Sequence, residues 1–196
     1  YIFYFYGNLS PHSWYNEGTG DFFSGYQLKA GRFRSKPFDW RVQTIREAIK
    51  AEKDVPLKDL VRFTQGEYYG NNDHDVGGGQ NYAHGWSLIY FLRAGKRKAR
   101  GWNEDWDSIL DDYLDALNEE WLKVRVEEGL LEEMPEKDYT AKTQEKKRAN
   151  RAARRAYVMD IDEYQEEARL KAVEIAFAGV DWEELETSWR QYTLTF

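Results

Sequence analysis

The segment Asn81–Gly95, NYAHGWSLIYFLRAG, is apolar on nearly every side. A helix without a polar face has to be covered all round, so it belongs at the centre of a domain. The rest of the chain must supply the cover, and most of what it offers is helical. Trp106, Ile109, Leu110, Tyr113, Leu114, Leu117 and Trp121 recur at the spacing of a strongly amphipathic helix. Val42, Ile45, Ile49 and, less strictly, Trp40 do the same within DWRVQTIREAIKAEKD. VPLKDLVRF predicts a short helix with proline near its first turn. Near the end, Gly179 closes one helix, and Asp181 with Glu184 resembles a capping box opening the last. That last helix carries Trp182, Leu185, Trp189 and Tyr192 as its apolar stripe. Strand patterning is nearly absent, and KAGRFRSKPFDW suits a loop or short extended piece. A chain of 196 residues buries a substantial core as one domain. A single, mostly α domain over 1–196 is therefore expected.

Charge adds to this picture more than it redirects it. A net charge of −7 argues against nucleic acid as the main partner. The absence of cysteine removes disulfides, thiolate nucleophiles and cysteine zinc sites. No apolar run approaches the roughly 20 residues of a membrane span. Acids dominate residues 104–138, while KTQEKKRANRAARR (142–155) holds seven bases and one acid. Residues 122–158 are expected to form a peripheral, charged helical insertion whose basic and acidic faces pair in solvent.

The segment SWYNEGTGDFFSGY (13–26) is harder to place. Ser13 suits an N-cap for a helix running to about Leu28. Yet the helix carries Gly18, Gly20 and Gly25, each interior glycine costing about 1 kcal/mol against alanine. It also sets Glu17 and Asp21 four residues apart, on one face, among Trp14, Tyr15, Phe22 and Phe23. Like charges so placed need a cation or hydrogen-bond donors. A divalent metal held by Glu17, with Asp21 orienting a neighbouring ligand, satisfies both; so does a buried carboxylate paired with arginine or backbone N–H groups. For Asp21 a local salt bridge is the competing role. The glycines allow another helix backbone to approach the carboxylate closely, and the central helix, Asn81–Arg93, is expected to pack against them.

NEGTGDFF resembles the third-ligand helix of the gluzincin zinc metallopeptidases, the thermolysin-like clan, where an HExxH helix is followed by one bearing Asn-Glu and an Asp four residues on. The wider chain is similar to an uncharacterised bacterial family of peptidase-MA-like domains: WYNEG, YAHGWSLIYFL and LETSWRQY match that family's landmarks in order. The likeness spans Tyr1 to about Gly95 and Ala172 to Phe196. It implies that the chain is the C-terminal helical part of a zincin-type domain acting on peptide or protein substrates. By that match Glu17 is the zinc ligand, Asp21 the acceptor for a zinc-bound histidine and Asn16 a supporting polar residue. Gluzincins also use a later Tyr or His to stabilise the oxyanion of the tetrahedral intermediate. Tyr82, directly after a glycine-rich loop, matches that role, with a packing tyrosine as the alternative.

One departure governs the chemistry. His12, His74 and His84 are the only histidines, and none lies in HExxH. The family places that motif before an apolar helix end like YIFYFYG, which opens this chain. The sequence is thus expected to be a fragment that begins just past the motif; a signal peptide could have preceded it. On this reading zinc is bound only in the complete protein, and the chain alone hydrolyses nothing. His84 suits a satisfied core or rim histidine, and His74, beside Asp73 and Asp75 in a polar loop (Gly66–Gln80), a solvated one. A non-catalytic helical interaction domain is the main alternative. A barrel glycosidase, which Asn-Glu among aromatics also resembles, requires βα alternation that this chain lacks.

Overall fold

The computed structural model describes residues 9–130 and 143–196. Residues 1–8, with the apolar opening YIFYFYG, and 131–142 of the expected insertion lie outside the described residues. The architecture is mostly helical, in this order: α1 (Ser13–Ser24), a hairpin of β1 (Tyr26–Lys29) and β2 (Arg32–Ser35), then α2 (Asp39–Lys50), α3 (Leu57–Leu60) and α4 (Gln65–Tyr68). Next come α5 (Gly78–Ala94), α6 (Ile109–Glu127), α7 (Gln144–Ala176) and α8 (Trp182–Thr193). Among the described residues no helix is long and apolar enough to cross a membrane.

The all-round apolar segment is the central helix, α5. Trp86, Leu88, Ile89 and Phe91 are all at most 1% exposed, and burying each such side chain stabilises the fold by about 1.5–3 kcal/mol. The helix α1 crosses it at two glycines. A Cβ on Gly18 would stand 2.6 Å from the Gly85 carbonyl oxygen, and one on Gly85 3.0 Å from the Trp14 carbonyl oxygen. The two backbones therefore touch, which a side chain at either position would prevent. The partner that Gly18 admits is α5.

The end of the chain closes on the other side of α5. Trp189 of α8 donates its indole N–H to Ser87 (3.1 Å) and stacks on the His84 ring. Glu186 accepts from the Leu57 N–H, and Arg190 pairs with the buried Asp54 carboxylate at 2.7 Å. Asp181 caps α8 by accepting from the N–H groups of Glu183 and Glu184. The helices α6 and α7 form an antiparallel pair. The Tyr164 phenol lies beside Glu128 at one end, and Trp14 packs on Tyr113 and Phe177 at the other.

Several local expectations change. Helix α1 stops at Ser24, because the chain enters the hairpin, where a Cβ on Gly25 would meet the Lys36 carbonyl oxygen at 2.6 Å. Its N-cap residue is His12, with Ser13 inside the helix. Of KAGRFRSKPFDW, expected as a loop or short extended piece, Arg32–Ser35 is extended. Its pairing with Tyr26–Lys29 was not expected, and the turn between them runs through Ala30 and Gly31 with both φ positive, the geometry of a tight two-residue turn. The boundary expected at 122 falls inside α6, whose Val124 is buried in the core. The expected pairing of basic and acidic faces involves residues 131–138, which lie outside the described residues.

Candidate active site

Glu17 faces away from the core, on the side of α1 that meets α4. That short helix is set by a full capping box, in which Thr64 and Glu67 bond to each other's backbone N–H groups. The buried Asn81 side chain donates to the Tyr68 carbonyl (2.9 Å), tying α4 to the first turn of α5. This anchorage carries Tyr69 to Glu17, and the phenol donates to Glu17 Oε1 at 3.1 Å. The Tyr82 hydroxyl follows, 3.5 Å from that of Tyr69. Tyr82 thus reaches Glu17 through Tyr69 rather than directly.

The second carboxylate has a different partner. Asp21 pairs with Arg41 at 2.6 Å. The Arg41 guanidinium lies 3.7 Å over the Trp40 ring and 4.8 Å over that of Tyr82. Its Nη1 also donates to the Gly79 carbonyl oxygen at 3.4 Å. Burial pushes the Asp21 carboxyl up from its ordinary pKa, and the arginine pulls against that shift. The repulsion between Glu17 and Asp21 is therefore relieved by splitting them: one takes a phenol, the other a buried cation.

Three phenols crowd this corner. Burial raises the Tyr82 pKa, with the Tyr69 bond and the Glu17 charge adding to it. Tyr68 is pushed well up by burial and then by Glu17, and its hydroxyl, pressed against Gly85, has no hydrogen-bond partner among the described residues. Both phenols keep their protons at neutral pH and can act only as donors to a developing negative charge.

Glu17 and Asn16 lie on the wall of a cleft of about 950 Å³. The start of α4 (Thr64–Gly66) and the acidic Asp162–Glu167 stretch of α7 form other parts of that wall. His12 closes one end. Its backbone N–H donates to the Tyr113 hydroxyl (2.9 Å), which leaves that hydroxyl's proton for His12 Nδ1 at 3.0 Å. The tautomer so selected turns Nε2–H toward Glu166, 3.4 Å away. Burial lowers the His12 pKa, against the pull of Glu166.

The other histidines are structural. His84 is fully buried; Nε2 accepts from the Val55 N–H (3.2 Å), Nδ1 donates to the Gln80 carbonyl (3.2 Å), and burial lowers its pKa to about 4. His74 sits 3.2 Å from Asp59 and packs on Phe63. The Gly66–Gln80 segment is not the unburied loop expected of it. It contains α4, and it buries Tyr68 and Val76. Asn72 organises the rest, donating to the Glu67 and Val76 carbonyls and accepting from the His74 and Val76 N–H groups.

Whether zinc fits these residues is decided by counting donors. Among the described residues no group of three or more His, Asp or Glu side chains is placed to hold a metal ion. Glu17 offers one carboxylate; Asp21 is engaged by Arg41. This set of residues does not make a zinc site by itself. Sequence reasoning named Glu17, Asp21, Asn16 and Tyr82 but missed Tyr69 and Arg41, which partner the two carboxylates. The signal for Arg41 was its place beside Trp40 on a helix otherwise apolar toward the core. No family model, curated protein or solved structure matches the chain.

Proposed function

We propose that this chain is the Glu17-bearing helical part of a zinc-dependent metallopeptidase, contributing one metal ligand to a site whose histidines it does not contain. The observation that carries the proposal is the state of Glu17: a carboxylate on a cleft wall whose hydrogen-bond partner among the described residues is a phenol, while Arg169 on the same wall is held by Ser10 and Glu166. Such a carboxylate has lone pairs left for a ligand, and a hydrogen bond from a neighbouring residue is how metal-binding carboxylates are held in orientation. Tyr69 is then the residue that orients Glu17, and Tyr82 the donor to a developing oxyanion one phenol further on. A catalytic zinc takes three protein ligands and a water, which it activates as nucleophile. This chain alone is inactive on that account.

The second reading, a non-catalytic helical domain descended from a peptidase, is favoured by the Asp21–Arg41 pair. In the peptidase reading Asp21 should hold a histidine, and here an arginine occupies it. Peptide hydrolysis separates the two. In a polypeptide that carries an HExxH helix ahead of this chain, cleavage of a quenched fluorescent peptide library should be abolished by Glu17→Gln. Tyr82→Phe should lower kcat by about 10²–10³. No cleavage by that intact polypeptide, with zinc supplied, selects the non-catalytic reading.

A further inference from the structure

The helix α7 continues well beyond its partner. Tyr164 lies beside Glu128, where α6 has already ended. The twenty residues of α7 before Tyr164 run on for about 30 Å at 1.5 Å per residue. On this arm Lys146, Lys147, Arg148 and Arg151 are exposed, as are Ala149, Ala152 and Ala153. At 100° per residue the bases cover one broad face and the alanines the other. The run 142–155 holds seven of the chain's 28 bases and one of its 35 acids, which leaves the remaining body strongly acidic.

The body carries a matching stripe. Asp111, Asp112, Asp115 and Glu119 are exposed on one outer face of α6, and Leu122 and Val126 continue it, 59% and 60% exposed. The bases from 146 to 155 extend over about 14 Å and the acids from 111 to 119 over about 12 Å. Within one chain the two cannot meet. The arm leads away from the Glu128–Tyr164 contact in one direction and the acids lie beyond it in the other, on helices that hold them apart.

We propose that the basic arm of one copy docks along the acidic outer face of α6 in a second copy, the contact being made twice about a two-fold axis. The bases pair with Asp111, Asp112, Asp115 and Glu119, and the aliphatic stems of the same lysines and arginines cover Leu122 and Val126. A reciprocal contact closes at two copies, whereas a one-way contact would propagate into filaments. Nucleic acid is the less favoured occupant, because the arm's described residues interleave no aromatic side chain for stacking on bases and the rest of the body is acidic. A contact held by exposed charges weakens as salt screens it, the Debye length falling from about 10 Å at 0.1 M to about 3 Å at 1 M.

Sedimentation velocity on the full chain tests this. The wild type should form a concentration-dependent dimer in about 0.1 M NaCl and a monomer in about 1 M. One variant reverses the arm (Lys146→Glu, Lys147→Glu, Arg148→Glu, Arg151→Glu), and another reverses the face (Asp111→Lys, Asp112→Lys, Asp115→Lys, Glu119→Lys). Each alone should be monomeric at low salt, and an equimolar mixture should dimerise again, because the acidic arm now meets a basic face and the basic arm an acidic one. The mixture also guards against a misfolded variant, which could not restore association. A monomeric wild type at low salt overturns the proposal, as does dimerisation that survives in either variant or a mixture that stays monomeric. Binding of duplex DNA or heparin by a monomeric wild type would assign the arm to a polyanion instead.

Discussion

Two glycines about 3 Å apart in rise along α1 behave oppositely. Gly18 has no room for a Cβ against the Gly85 carbonyl, whereas nothing lies within 4 Å of the position a Cβ would take on Gly20. Gly18→Ala should therefore separate α1 from α5 and cost about 1–3 kcal/mol. Gly20→Ala, on an exposed helical position, should gain about 0.5–1 kcal/mol by removing glycine's backbone freedom. Thermal unfolding monitored by circular dichroism reads both; a Tm lowered by Gly20→Ala, or unmoved by Gly18→Ala, contradicts the packing described. The sequence showed that something approaches this helix closely, since glycines amid aromatics have few other uses. The central helix was the partner expected, and Gly18 against Gly85 bears that out. Which residues of the two helices meet was not legible, because backbone proximity between residues far apart in sequence leaves no periodic trace. The same limit hid Tyr69: a phenol in GEYYG becomes a partner for Glu17 only after Asn81 and the Thr64–Glu67 capping box have folded α4 against α5.

At the level of elements, α5 was the most legible part of the chain, because a helix apolar on all sides has one place to go. The stripes of α2, α6 and α8 were legible for the related reason that a 3.6-residue period marks a buried face, except at Trp40, which is exposed while Arg41 takes the buried place. The hairpin was not: Lys-Ala-Gly-Arg lacks the Asn-Gly or Asp-Gly signal, and only the positive φ at Ala30 and Gly31 reveals the turn. His84 joins α5 to α8 and to the Val55 backbone, and its chemistry can be measured. Its pKa is about 4 in the fold and 6.5 when unfolded. Between those values the unfolded chain binds the proton and the folded one does not, so stability rises with pH across that window. Acidification from above pH 6.5 to about pH 4 should cost about 3 kcal/mol through this residue, at 1.36 kcal/mol per pKa unit. The buried His12 adds in the same direction. Urea unfolding across that range should show a shallower pH dependence in His84→Gln than in the wild type; an unchanged slope would mean that His84 is not held neutral.

On the scale of the whole molecule, the body and the arm separate in composition and in burial. The described side chains of 143–149, 151–153 and 155 are exposed, whereas both helical ends that flank the arm reach the core through Val124 and Ala168. Replacing 131–158 with a short Gly/Ser linker should leave a cooperative unfolding transition near that of the full chain. Its loss would place the segment in the core's support. The site is a different matter, for half of what a peptidase needs is not among these residues, and the account rests on Glu17. Isothermal titration with zinc tests that most directly, in this chain alone and in a polypeptide carrying an HExxH helix ahead of it. The chain alone should bind weakly. The longer polypeptide should bind one zinc tightly, Tyr69→Phe should weaken that binding by about 10–100-fold, and Glu17→Gln should weaken it further. Undiminished binding by Glu17→Gln in the longer polypeptide, or tight one-to-one binding by this chain alone, would contradict the assignment of Glu17 to the metal.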